Sequence, residues 1–436
     1  MAPLEFRMTT PQSSLSFDQA PPIPVPFRFF LAAPIFAVLS AVIALWYGPE
    51  WLSSRWLPSV FALTHLMTLG FLGMVMIGAM FQMLPVLAGV PVAKSVTVSL
   101  AVFGLLVPGI LALASGFLWV SPGLIRLALG LLGIGCALFV AAVGHSLKRA
   151  SGSATVHTMR LAVIALALTV AQGWVLATNH GWDWWLADRV RFTTLHLTWG
   201  LSGWVGLLVI GVSYQVVPMF QLTPPFPKRL TAWLAGVLFA LLATWSLLML
   251  GGMDAYAPLA GAGMALGFAL FAVTTLRLQK QRRRKVSDVT LLFWRFGLAA
   301  LLLALLLWLV GQFVPEWRYG QIYPILLGIL FIAGFAVSVI NGMLYKIVPF
   351  LIWFHLQSRM VGTGAKVPNM KEILPEKKMR RQMWLHFAAV PLLASATLLP
   401  PLIYPAALAF GASMLLLETN LFFAYGVYRR NTKLVS

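Results

Sequence analysis

Twelve stretches of this chain stay apolar for long enough to cross a bilayer, at approximately 29-48, 58-86, 95-119, 122-147, 156-178, 192-220, 230-251, 256-277, 289-313, 321-353, 382-400 and 402-428. Roughly 20 apolar residues rising 1.5 Å each match a hydrocarbon core of about 30 Å. In hydrocarbon every peptide N–H and C=O must find its partner within the protein, so a spanning chain forms either helices or a closed barrel. Barrel strands would alternate polar and apolar residues, and these runs do not. The expected fold class is therefore all-α, a polytopic membrane protein of about twelve transmembrane helices. With 60% hydrophobic and only 10% charged residues, the chain carries more apolar surface than a water-soluble core hides.

A second feature divides the twelve by three. The stretch Thr64 to Pro85, THLMTLGFLGMVMIGAMFQMLP, returns as GLSGWVGLLVIGVSYQVVP ending at Pro218 and as AGFAVSVINGMLYKIVP ending at Pro349. Gly70, Gly203 and Gly334 stand fifteen residues before their prolines, and Gly78, Gly211 and Gly342 seven before. An aromatic residue (Phe81, Tyr214, Tyr345) follows four before the proline and a polar one (Gln82, Gln215, Lys346) three before. Four matched columns in three copies at near-constant spacing indicate an internal triplication. The copies fall on the second, sixth and tenth apolar runs, so each repeat holds four helices: residues 27–150, 151–285 and 286–436, the last with a basic loop at 356–381. Residues 1–26, polar and Pro-rich, read as a flexible tail without the pattern of a cleaved signal.

Basic residues set the orientation. Of 31 Lys and Arg, 25 lie with the termini and the even-numbered connections, against Arg55, Arg126, Arg189, Arg191 and Arg318 on the other side. Both termini are thus expected in the cytoplasm, with the protein in a bacterial cytoplasmic (inner) membrane. This asymmetry toward anionic lipid accounts for the net charge of +20, and no nucleic-acid partner is needed to explain it. The single cysteine, Cys136, permits neither a disulfide framework nor a cysteine metal cage within one chain.

Few side chains in the spans carry chemistry. His65 sits about two turns from the outer end of the second helix, and His196 lies at a similar depth on the sixth; the tenth has Leu327, Gly328 and Ile329 at that level. Met67, Met76 and Met80 on the second helix are soft ligands suited to Cu(I), or else gap-filling core residues. His145, His157, His355 and His386 lie on the inner side as either a metal set or ordinary solvated histidines. The outer connection TNHGWDWWLADRVRF, with His180, Asp183 and Asp188, is the place for an outer binding site or a plain interfacial loop. Gln82, Gln215, Lys346 and Glu418 are polar groups inside spans, where charge is expensive and usually paired. Lys346 and Glu418 are expected to pair, as a structural lock or as part of a proton or ion path.

Twelve helices in three four-helix repeats, with an outer-level histidine on the second helix ahead of a Gly-rich run, resemble subunit I of the heme-copper oxidase superfamily, which includes cytochrome oxidases and nitric oxide reductases. More loosely the chain is similar to the NnrS-type membrane proteins associated with nitric oxide stress. The resemblance implies a role for His65 as a low-spin heme ligand. It departs from the family on the tenth helix, which lacks the H-x-H pair, and on the seventh, which lacks the His-His pair of the copper site, so a complete oxygen- or NO-reducing centre is short of ligands. Three readings follow. His65 and His196 ligate one b-type heme, for electron transfer or nitric oxide response, with redox or oxidase subunits as partners; or they handle copper as Cu(I) with the methionines, in import or oxidase assembly; or the fold is a cofactor-free structural subunit.

Overall fold

Pro24 opens the first helix, where its missing N–H costs nothing because the first-turn amides of a helix have no acceptor. The computed structural model describes residues 20–182, 188–284, 286–360 and 366–433. The helices are α1 (Pro24–Tyr47), α2 (Pro58–Ala88), α3 (Ser95–Leu118), α4 (Pro122–Arg149), α5 (Ala154–Trp182), α6 (Arg189–Gln221), α7 (Lys228–Leu250), α8 (Ala257–Lys280), α9 (Val289–Phe313), α10 (Ile322–Met360), α11 (Glu376–Ala396) and α12 (Ile403–Thr432). No strand occurs among the described residues. The chain is an all-α, multi-pass membrane protein. All but α11 are long and apolar enough throughout to cross a membrane, and α11 begins with the charged turn EKKMRR before its apolar part.

Three boundaries around the expected tail and basic loop differ from the sequence reading. The helix α1 starts within the expected tail: Ile23 and Val25 are buried, and the Pro21 carbonyl lies 3.2 Å from Nε2 of His355 on α10. The tail proper, residues 1–19, lies outside the described residues, as do Asp183 of the outer connection and Lys285. At the expected basic loop, α10 continues to Met360 and α11 begins at Glu376, leaving residues 366–375 with one short helix, Met370–Ile373, while 361–365 lie outside the described residues. A charged run scores as loop by composition, but past the membrane edge water solvates lysine and arginine on a helix as readily as on a coil. His386 accordingly lies well inside α11, buried, not at a helix end.

The triplication is visible in the backbone. Each of α2, α6 and α10 switches from α to π geometry over eight residues, Leu66–Gly73, Trp199–Gly206 and Leu330–Val337. All three π segments run from nineteen to twelve residues before their prolines, Pro85, Pro218 and Pro349. Each repeat's first helix packs against the matched glycines. A Cβ on Gly70, Gly203 or Gly334 would lie 2.5–2.8 Å from Phe36, Ala165 or Ala300, and one on Gly78, Gly211 or Gly342 would lie 2.7–2.9 Å from Phe29, Thr158 or Phe293. Those contact residues are seven apart on α1, α5 and α9 alike. Small residues at seven- or eight-residue spacing let two helix backbones approach closely, the main source of helix association in lipid. Contacts between α12 and α1 close the ring of helices.

At the middle of that ring α2, α6 and α10 enclose a cavity of about 80 Å³. Its walls are the residues ten, nine, six, five and two before each proline, from Val75, Leu208 and Val339 down to Met83, Val216 and Ile347. Identical register from three helices places the cavity on the pseudo-threefold axis. The polar column, three before each proline, is absent from those walls. In that column Lys346 Nζ meets Asp288 Oδ2 at 2.9 Å, at the start of α9, where Asp288 also accepts from the Leu291 amide.

That pair corrects the expected one: Lys346 is bound to Asp288, and among the described residues Glu418 has no hydrogen-bond partner for either oxygen. Both Lys346 and Asp288 are largely shielded, with side chains 23% and 15% exposed. Lys346→Met should therefore destabilise the protein by about 1–3 kcal/mol, between the cost of an exposed and of a buried pair. Denaturation of the single and double variants in detergent would check it, since adding Asp288→Asn should recover part of the loss.

Candidate functional site

His65 is the eighth residue of α2, immediately before its π segment, and His196 is the eighth residue of α6. Ile329 holds the same place on α10. The two rings stand 6.2 Å apart, centroid to centroid, with their planes 25° from parallel. Each of the two helices carries its histidine two turns from the same end, and the fold brings those histidines together.

Each ring is fixed by a backbone carbonyl. His65 Nδ1 lies 2.7 Å from the Phe61 oxygen in its own helix, and His196 Nδ1 lies 2.9 Å from the Thr169 oxygen on α5. A carbonyl oxygen only accepts, so Nδ1 must be the protonated nitrogen in both. That leaves Nε2 of each as the nitrogen with a free lone pair, the usual arrangement for imidazoles that bind a metal. Gly173 on α5 makes room for the second ring, since a Cβ there would fall 2.8 Å from His196 Cε1. Phe117 on α3 packs against His65 at 5.4 Å and against His180 at 5.7 Å. The Gln172 side-chain oxygen, beside Gly173, is buried without a hydrogen-bond partner.

The structure separates residues that sequence alone grouped. Met67 lies two residues beyond His65, in the π turn, and is buried. Met76 and Met80 line the axial cavity with Met83 and Met343, about 16–22 Å along α2 from His65 at 1.5 Å per residue. The thioethers of Met76 and Met80 thus belong to a different place from the imidazoles, and only Met67 stays near His65. Gln82 is buried with its Oε1 unpartnered, whereas Gln215 is half-buried. His386 is fully buried, its Nε2 2.8 Å from Ser338 Oγ, inside an aromatic wall that includes Phe293 and Phe410. Among the described residues no three of His, Cys, Asp and Glu converge as a metal cluster, so His145, His157, His355 and His386 do not assemble one.

Sequence reasoning passed over Phe117, Thr169, Gly173 and Gln172. One signal was present: an isolated glycine within an otherwise apolar helix, AQGWV, marks a close approach. No protein-family model matches the chain, and no curated protein matches it.

Proposed function

We propose that the chain is a membrane electron-transfer protein that holds one redox metal centre, a b-type heme, between His65 and His196. The observation that carries the reading is the 6.2 Å separation of two tautomerically fixed imidazoles. With a metal–nitrogen bond of about 2.0–2.1 Å and the half-width of the ring, two imidazoles sharing one metal stand about 6 Å apart. Imidazole pairs are normal heme ligands, and a heme so held supplies one-electron chemistry. The chain's own residues do the rest: the Phe61 and Thr169 carbonyls, by taking Nδ1–H, leave both Nε2 lone pairs free, Phe117 packs on His65, and Gly173 gives His196 its room. The outer-level histidine of the heme-copper oxidases makes the same assignment for His65. Placement in a bacterial inner membrane with both termini in the cytoplasm rests on the distribution of Lys and Arg, and nitric oxide response and redox partner subunits rest on the resemblance alone.

A second reading has its own support. Four methionine side chains on one cavity, Met76, Met80, Met83 and Met343, offer soft thioethers suited to Cu(I), which keeps copper handling open at the axis. An optical spectrum of detergent-purified protein, oxidised and then reduced, with metal analysis of the same sample, separates the two. The heme reading expects a reduced b-type spectrum and about one iron per chain; copper without iron, or a colourless protein, would contradict it.

Gly173→Ala tests the positioning. Its methyl group would displace the His196 ring, and the loss of affinity for the centre should be about 10–100-fold, the range seen when a ligand's orienting contact is disturbed. Retention of the centre, measured by competition with apo-myoglobin, checks it while helical content stays unchanged.

A further inference from the structure

Glu418 lies on α12 with 9% of its surface exposed and, among the described residues, no hydrogen-bond partner for either carboxyl oxygen. Its surroundings follow from the packing of α12 on α1. The two run antiparallel, with the Phe27 and Tyr425 rings 5.6 Å apart and a Cβ on Gly411 falling 3.0 Å from that of Ala41. Positions 411, 418 and 425 are seven apart and so share one face of α12. Glu418 therefore faces α1 midway between those contacts, level with Pro34.

Pro34 sits inside α1 and is buried. Having no N–H, it leaves the Phe30 carbonyl without its helical donor. A carboxylate at that level would set one acceptor against another and carry an unpaired charge within the membrane, where its cost is several kcal/mol. A carboxylic acid carries no charge there and adds a donor at that level.

The charged and titratable groups of the elements packed on α12 are exposed, as Lys371, Lys377 and Arg381 are, or are placed as follows. On α1, Arg28 donates from Nε to the Pro24 oxygen, its Nη1 is buried without a hydrogen-bond partner among the described residues, and its backbone stands six residues, about 9 Å, from the level of Pro34. On α10, Lys346 is held by Asp288, Tyr345 accepts from Asn420, and Arg359 lies over the Tyr428 ring. On α11, Lys378 lies over the Phe423 ring, Arg380 pairs with Glu376, and His386 pairs with Ser338. In the short helix Met370–Ile373, Glu372 caps with Asn369. The Asn420 amide also donates to the Lys378 carbonyl, which places Glu418 near the depth of the basic end of α11.

We propose that Glu418 is a proton-binding site of this protein, standing in the membrane as the carboxylic acid and exchanging its proton with the side on which the basic end of α11 lies. The proposal is independent of any centre at His65 and His196.

The test is labelling of the purified full chain with dicyclohexylcarbodiimide, an apolar reagent that takes the acid O–H across its C=N bond and so reads protonated carboxyls within apolar surroundings. Peptide mapping should find the adduct on Glu418, falling as pH rises. In infrared spectra the C=O stretch of a carboxylic acid should be present in the wild type and lost in Glu418→Gln. Absence of the adduct at every pH, an adduct indifferent to pH, or protection by Na⁺ at constant pH would each overturn the proposal, the last by showing a cation site. The labelling is read on the wild-type chain, so it stands even where Glu418→Gln fails to fold.

Discussion

His65→Ala and His196→Ala should each yield a folded, monodisperse protein that has lost its visible spectrum and its iron. Neither imidazole is part of the buried core, and each is fixed by a single backbone hydrogen bond, so truncation should cost stability no more than about 1–2 kcal/mol. The loss of the centre, by contrast, should be complete in either variant, because one imidazole cannot do the work of two. Bound heme per chain and helical content, measured on the same preparations, check the two halves of this expectation. His386→Ala is the useful comparison. That ring is fully buried against Ser338 and several phenylalanines, so its loss should lower stability by about 2–4 kcal/mol through a cavity and an orphaned hydroxyl while leaving the spectrum unchanged.

The other large effect lies in the repeat glycines. Gly70→Ala would place a Cβ 2.5 Å from both Cβ and Cγ of Phe36, and Gly211→Ala one 2.7 Å from Cβ of Thr158. Neither neighbour can retreat, since these atoms sit next to the backbone of a packed helix. The helix pairs α1/α2 and α5/α6 must then separate, which overpacking data put at about 1–3 kcal/mol and occasionally more. Gly130→Ala, on α4, meets nothing within 4 Å and should be neutral or stabilising by up to about 1 kcal/mol. Melting temperatures of the three variants in detergent would check the order. Equal effects at Gly70 and Gly130 would mean that the glycine columns are not packing contacts.

Much of this architecture was legible in the sequence, and the misses have physical causes. The columns at Gly70, Gly203 and Gly334 located the helices that line the axis, because close approach in lipid leaves few alternatives to glycine. Nothing in the chain announced that those columns lie inside π segments, since backbone hydrogen-bond register has no composition of its own. The Lys346 partner was misassigned because Glu418 is the more conspicuous acid, standing inside an apolar run. Asp288 stands just before one, VSDVTLLF, and there it reads as a helix cap, which it also is. Proximity in three dimensions decided the matter, and a linear pattern carries little of it. The nearness of His65 and His196 was readable from depth alone, whereas Met76 and Met80 could be separated from them only by following α2 down to the axis.

The most direct test of the two-histidine centre is an electron paramagnetic resonance spectrum of the oxidised, purified protein. The account predicts a low-spin ferric signal of the kind two axial imidazoles produce, absent in His65→Ala and in His196→Ala. A high-spin signal, or a silent sample that contains no iron, would contradict it.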